Sequence, residues 1–511
     1  MSAMGESRTF NTRRNLVSGL MKQAQMIILP FVIRTIVLYT LGVEYQGLSS
    51  LFSSLLQVLN LADLGFSAAV VYILYGPIAR EDWDAVRAII AYLRRVYTVV
   101  GAVILAIGLC LMPFLPGLIS GTYPQNLNIY ALYAIYLINT VLSYWLFAYK
   151  SALLTAMQRE DLVSKIYTLT NFGLKAVQIV LLLVLSNYYL YVALMPVFTL
   201  VNNLLLQVVS RRKFPELMPR GEIDPQTRKE LTRQVKGVFI NRVGDVARNG
   251  CDSIFLSAFM GLATLAIYDN YFYIYTALYG ITLAITRAIQ ASVGNSVAKE
   301  TVDKNYRDLR RFTFLFSWFT GWCTVCLCCL YQPFMLIWMK GNTEMLFSVG
   351  NMLLVCLYFY GITMNNMRNM YVNAAGLFWQ LRMWYIIEAA ANIVLNALLG
   401  YFFGVTGIIL ATILTVFVCN FITRTNVLFR CYFRRSAKEF YRQHGLHFEV
   451  MTAGCAVTYG LCSLIPIPGI PGLLLKLIVC LIVPNGIFLL AYHRTEMFRD
   501  GVRFVRSVLK K

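Results

Sequence analysis

Polar and apolar positions along this chain alternate in long blocks and not in the short periods of a soluble fold. Fourteen apolar runs of about 20 residues, the length a helix needs to cross roughly 30 Å of hydrocarbon, fall near 15–40, 48–77, 91–118, 128–149, 162–185, 189–210, 237–259, 264–291, 312–338, 347–371, 382–403, 407–429, 450–466 and 474–492. The pattern predicts an all-α polytopic membrane protein, and an even number of spans returns the C-terminus to the side of the N-terminus. No Ala-x-Ala cleavage site follows the first run, so it is read as a retained helix and not a signal peptide.

The polar blocks divide the chain in two. The longest charged stretch, RRKFPELMPRGEIDPQTRKELTRQVK at 211–236, follows the sixth run, and the pattern before it is echoed after it. GVEYQGLSSLF after the first run is matched in placement by GLATLAIYDNYF after the seventh, and REDWDAVRAIIAYLRRVY after the second by KETVDKNYRDLRRFTF after the eighth. Two pseudo-symmetric six-helix lobes are therefore expected, 1–210 and 237–430, joined by a cytoplasmic connector at 211–236, with a helix pair and basic tail at 431–511. Pro466, Pro468 and Pro471 break the last pair.

Composition agrees: 58% of residues are hydrophobic and 14% charged, against about a quarter charged in soluble proteins. The net charge of +21 would suit a nucleic-acid binder if it were clustered, but it follows topology. Of 45 basic residues, 35 fall on the predicted inner side and only Lys340 on an outer connection. That bias places both termini and the 211–236 connector in the cytoplasm and leaves no nucleic-acid partner to invoke.

Nine basic residues lie inside the runs. Arg287, Arg368 and Arg424 stand near inner ends and Lys476 near an outer one, where a long side chain reaches the interface at little cost, so interfacial anchoring is expected of them. Lys175 at mid-depth is expected to make an ion pair or hydrogen bond within its lobe. Along their helices Lys22, Arg248 and Arg34 lie about 10, 16 and 28 Å from the inner end. On the seventh run Arg242, Asp245, Arg248 and Asp252, at spacings of 3, 3 and 4, share about a third of the helix circumference. A charge at bilayer depth costs about 2.5–3.5 kcal/mol on insertion scales, so such a stripe must face a bundle interior or a wet cavity.

With those residues in view, the chain resembles the polysaccharide transporters, the lipid-linked oligosaccharide flippases of the multidrug/oligosaccharidyl-lipid/polysaccharide superfamily. The resemblance covers nearly the whole chain and rests on LGVEYQGLSSLF, LADLGFSAAVVYILYGPIAREDWDAV, CDSIFLSAFMG with IYDNY, and NAAGLFWQLRMWYIIEAAANIVLNALLGYFFGVTGIILATIL. It implies a two-lobed, fourteen-helix fold that alternates between inward- and outward-open states in the bacterial cytoplasmic membrane, with helices 1, 2, 7 and 8 lining a cationic cavity. The implied substrate is a polyprenyl-pyrophosphate-linked oligosaccharide, carried by a monomer among membrane lipids, with a polysaccharide polymerase and glycosyltransferases as partners in capsule or exopolysaccharide synthesis. Drug or small-molecule cation antiporters of the same superfamily are the alternative. A membrane glycosyltransferase or polymerase is disfavoured because no predicted outer connection exceeds about ten residues, leaving no room for a catalytic site, so no catalytic residue is expected.

Guanidinium and ammonium groups in a partly dry cavity hold phosphate by charge-assisted hydrogen bonds. Lys22, Arg34, Arg248 and Arg242 are accordingly the candidate pyrophosphate ligands. Asp63, with no basic neighbour in sequence, is the first candidate for coupling or gating; Asp252 and Asp245 follow, since they can also neutralise Arg248 and Arg242 at helical spacing. No Gly-x-x-x-x-Gly-Lys-Ser/Thr sequence occurs, so no nucleotide or other cofactor is expected, and a proton or sodium gradient or removal of substrate outside drives transport. Tyr268, Tyr271, Tyr273 and Tyr275 either stack on sugars or pack helices. Most of the twelve cysteines sit in apolar runs remote from His444, His447 and His493, and no metal site is expected.

Overall fold

The computed structural model describes residues 25, 27–60, 66–121 and 123–509; the side chains of 66–68, 234, 236–249, 288, 291 and 507–509 lie outside the described set. Among the described residues every regular element is helical: α1 (Ile27–Thr40), α2 (Val43–Leu59), α3 (Phe66–Ala79), α4 (Trp83–Leu111), α5 (Ile129–Trp145), α6 (Tyr149–Ala156), α7 (Glu160–Leu185), α8 (Tyr188–Lys213), α9 (Pro225–Lys299), α10 (Val302–Trp338), α11 (Val349–Ala374), α12 (Phe378–Thr415), α13 (Thr423–Leu428), α14 (Lys438–Ser463), α15 (Gly469–Tyr492) and α16 (Glu496–Leu509). Eight of these helical stretches are long and apolar enough to cross a membrane, nine if α5 and α6, bent by 43°, form one span. Val184, Tyr401, Phe402 and Leu490 each stand more than 70% exposed, which suits side chains whose solvent is lipid. The chain is a multi-pass membrane protein.

The apolar runs do not map one to one onto helices. The second run is divided between α2 and α3, while two pairs of runs are merged, into stretches of 50 residues (Gly250–Lys299) and 56 residues (Phe378–Phe433). At 1.5 Å per residue these measure about 75 and 84 Å, more than twice a ~30 Å hydrocarbon core. Each contains one glycine with left-handed backbone, Gly261 at φ 85° and Gly404 at φ 59°. At Gly404 the chain doubles back. A Cβ on Gly407 would lie 1.9 Å from the Leu399 carbonyl oxygen, although eight residues of straight helix span about 12 Å.

These turns expose the internal repeat more clearly than the side chains do. Left-handed backbone occurs at Gly42 and Gly261, Gly121 and Gly341, Gln158 and Gly376, and Ser186 and Gly404, pairs 219, 220, 218 and 218 residues apart. Helix starts keep the same interval. Asp82 caps α4 by accepting from the Ala85 amide and Thr301 caps α10 by accepting from Lys304; Asn128 caps α5 and Ser348 caps α11 in the same manner. A short oxygen-bearing side chain satisfies an otherwise orphaned amide at each start, so the repeat is written in residues that begin and end helices.

The backbone forms two compact units, residues 1–266 and 267–511. In the first, part of the 211–236 stretch is folded down. Leu217 is buried, Arg87 Nε donates to the Glu216 carbonyl at 2.9 Å, and Lys150 Nζ, itself buried, donates to the Leu217 carbonyl at 3.4 Å. In the second, α14 and α15 pack on α10, and amphipathic α16 follows them, its Asp500 paired with Arg311 at 2.7 Å and its Phe498 stacked on Trp318.

Candidate functional site

In unit 1 a polar layer runs through α1, α2, α5, α7 and α8. Arg34 of α1 is half-buried and lies within electrostatic reach of the Tyr191 hydroxyl on α8. The Tyr191 carbonyl accepts from Gln178 Nε2 at 2.9 Å, and Gln178 Oε1 accepts from Lys175 Nζ at 3.2 Å, so the mid-depth lysine makes the hydrogen bond expected of it. Tyr188 stacks on Tyr191 and donates to the Tyr45 carbonyl at 3.1 Å; Tyr136 donates to Ser49 Oγ at 2.8 Å. The layer thus gathers two cationic groups and several hydroxyls in apolar surroundings, where each hydrogen bond is electrostatically stronger than in water.

Of the sequence-predicted residues, Arg34 stands in this layer, and Asp252 on α9 is buried at 4% exposure. Arg242, Asp245 and Arg248 lie on the continuous α9 backbone, with side chains outside the described set; Lys22 and Asp63 lie outside the described residues altogether. Tyr268 and Tyr275 are buried in an aromatic ladder with Phe272 and Tyr358, and Tyr271 is buried against Tyr331 and Phe347. Tyr271 also receives the Phe347 amide at 3.1 Å and donates to Gln332 at 2.7 Å. These three rings pack helices and present no face to a sugar.

Unit 2 carries a second polar layer that sequence depth misjudged. Arg368, expected at an interface, is 1% exposed. Its guanidinium donates to the Phe421 carbonyl at 3.0 Å, to Thr425 Oγ1 at 3.2 Å, to Asn369 Oδ1 at 2.9 Å, and to Asn420 Oδ1. Arg424, also expected at an interface, pairs with Glu388 at 2.6 Å and lies 4.3 Å over the Tyr385 ring. A π-helical segment, Val416–Ile422, carries Asn420 and leads into α13. Its wider turn re-aims successive side chains, and Asn420, Arg424 and Thr425 from this stretch all enter the layer. Counting along a helix gives depth but not which flank is covered by a neighbour.

A cavity of about 790 Å³ opens in the same unit, between the C-terminal part of α9, the first half of α10, α11 and α16. Ile289, Phe316, Phe319 and Met367 line its interior, and Lys299 and Lys304 stand at its rim, with Lys304 held by Glu300 at 2.8 Å. An apolar body behind a charged rim has the polarity of an amphiphile.

The helices, chain breaks and internal repeat form a multi-pass membrane fold shared with solved transporter structures. The solved structure "Lipid II flippase MurJ, inward closed conformation" aligns over 95% of this chain and 99% of its own, at 13% identity and a TM-score of 0.66. An inward-facing multidrug resistance MATE family transporter of the MOP superfamily aligns over 80% of this chain and 97% of its own, at 11% identity and a TM-score of 0.62. A mutant of the Vibrio cholerae MATE transporter VcmN follows at 12% identity, 84% and 99% coverage, and a TM-score of 0.55. No family model and no curated protein matches the chain.

Proposed function

We propose that this protein is a flippase for polyprenyl-pyrophosphate-linked oligosaccharides, moving them across the bacterial cytoplasmic membrane by alternating access during surface polysaccharide synthesis. The observation that carries the reading is the unit 1 layer, where the half-buried Arg34 lies within electrostatic reach of the Tyr191 hydroxyl. Guanidinium and hydroxyl donors bind phosphate, whereas a drug or cation antiporter needs an acidic cavity. Likeness to a lipid II flippase over 95% of the chain supports the same class of cargo.

In this reading Lys22, Arg34, Arg242 and Arg248 receive the pyrophosphate, and Asp63, Asp252 or Asp245 changes its protonation or pairing as the 1–210 and 237–430 lobes rock. The chain works as a monomer with cytoplasmic termini, performs no covalent chemistry, and hands its cargo from glycosyltransferases to a polymerase. The test is export. Arg34→Ala combined with Arg248→Ala abolishes surface polysaccharide while the protein stays in the membrane, and Arg248→Lys rescues only in part because the planar fork is lost. Normal export by the double variant overturns the site.

A further inference from the structure

Three thiols that are distant in sequence meet inside unit 2. Cys329 on α10, Cys462 on α14 and Cys480 on α15 are 3%, 3% and 0% exposed, and their sulfur atoms all lie within 4.8 Å of one another. The backbone around them is fixed. Trp322 Nε1 donates to the Cys480 carbonyl at 3.0 Å, and the Cys462 thiol faces the Lys476 carbonyl at 3.9 Å. Val325 and Phe488 belong to the same packed cluster, with Leu330 and Val479 against it. We propose that Cys329, Cys462 and Cys480 form a binding site for a soft monovalent cation of the Cu(I) class, joining α10, α14 and α15.

Size, ligand type and charge each support that choice. With metal–sulfur bonds of about 2.3 Å, three ligands in a plane stand roughly 4.0 Å apart and two in a line roughly 4.6 Å, so the observed spread needs no movement of helices. An all-sulfur donor set selects Cu(I) or zinc over hard cations. Ligand number separates those two: a closed zinc site takes four ligands in a tetrahedron, and three sulfur atoms meet here. Binding Cu(I) through two thiolates and one neutral thiol releases two protons to solvent and leaves one negative charge. The Lys476 ammonium acts on Cys462 electrostatically and balances it, as an apolar environment requires.

The test uses the full-length protein in detergent, anaerobic and reduced without thiols, titrated with Cu(I) against the chromophoric chelator bathocuproine disulfonate. One Cu(I) per chain is expected, with an X-ray absorption first shell of sulfur alone and a raised thermal midpoint by mass action. Cys329→Ser, Cys462→Ser and Cys480→Ser each weaken binding by about tenfold or more, and Cys251→Ser in unit 1 leaves it unchanged. Cys480→Met keeps a neutral sulfur ligand beside the two remaining thiols, so it separates loss of the site from loss of the fold: it elutes as the wild type and retains the Cu(I) that Cys480→Ser loses. Undiminished Cu(I) binding by the triple serine variant, a nitrogen or oxygen shell, absence of bound Cu(I), or preference for Zn²⁺ in competition overturns the proposal.

Discussion

Unit 1 and unit 2 both carry basic side chains into apolar helix bundles, and they treat them differently. In unit 2 Arg368 is fully enclosed and spread over four acceptors, while Arg424 is tied to Glu388 at 2.6 Å. In unit 1 Arg34 stays half-exposed beside Tyr191, and Lys175 donates to the neutral Gln178 amide oxygen at 3.2 Å. An enclosed guanidinium whose two terminal nitrogens are engaged on protein acceptors cannot turn to a ligand, whereas a half-exposed one within reach of a hydroxyl can exchange partners. The same chemical group is therefore enclosed as mortar in one unit and left partly exposed in the other.

The largest effect expected from this contrast is in unit 2. Glu388→Ala leaves the Arg424 charge buried without its partner and lowers stability by about 3–5 kcal/mol, read as thermal unfolding of the detergent-solubilised protein. Glu388→Ala with Arg424→Met removes both charges and recovers much of that loss. Recovery of nothing would show that the pair is not the source. Gly404→Ala comes next, because a Cβ at φ 59°, ψ −136° is held in a sparsely populated region at a cost of about 1–3 kcal/mol. Arg34→Ala is expected within about 1 kcal/mol of wild type while export fails. A large drop in thermal midpoint there would make Arg34 structural and erase the contrast between the units. Smallest is Ser186→Gly, the counterpart of Gly404. Relief of strain at φ 46° is largely offset by the entropy of a freer unfolded chain, for a net gain of a few tenths of a kcal/mol.

The membrane class was legible because lipid demands long apolar runs and the loops carry the charge. Placement of GVEYQG and GLATLA foretold the repeat, and their leading residues, Gly42 and Gly261, share a left-handed turn. Individual helix ends were less legible, since Gly261 and Gly404 break their helices too briefly to leave a polar gap. Arg368 and Arg424 were misread for a different reason. Helices that are apolar all round give no amphipathic signal of which flank meets protein and which meets lipid. The thiols at 329, 462 and 480 share no local spacing, and only the packing of three helices brings them together.

The brevity of those breaks has a consequence for how the chain is made. A stretch such as Phe378–Phe433, 56 residues with a single glycine as its hinge, reaches the translocation machinery as one continuous greasy object. Nothing hydrated separates its arms, so the two are released into lipid together, and neither waits alone for a partner. A lysine inserted beside Gly404 would give the machinery a signal to stop between them, and the mature protein would then carry one arm on the wrong side.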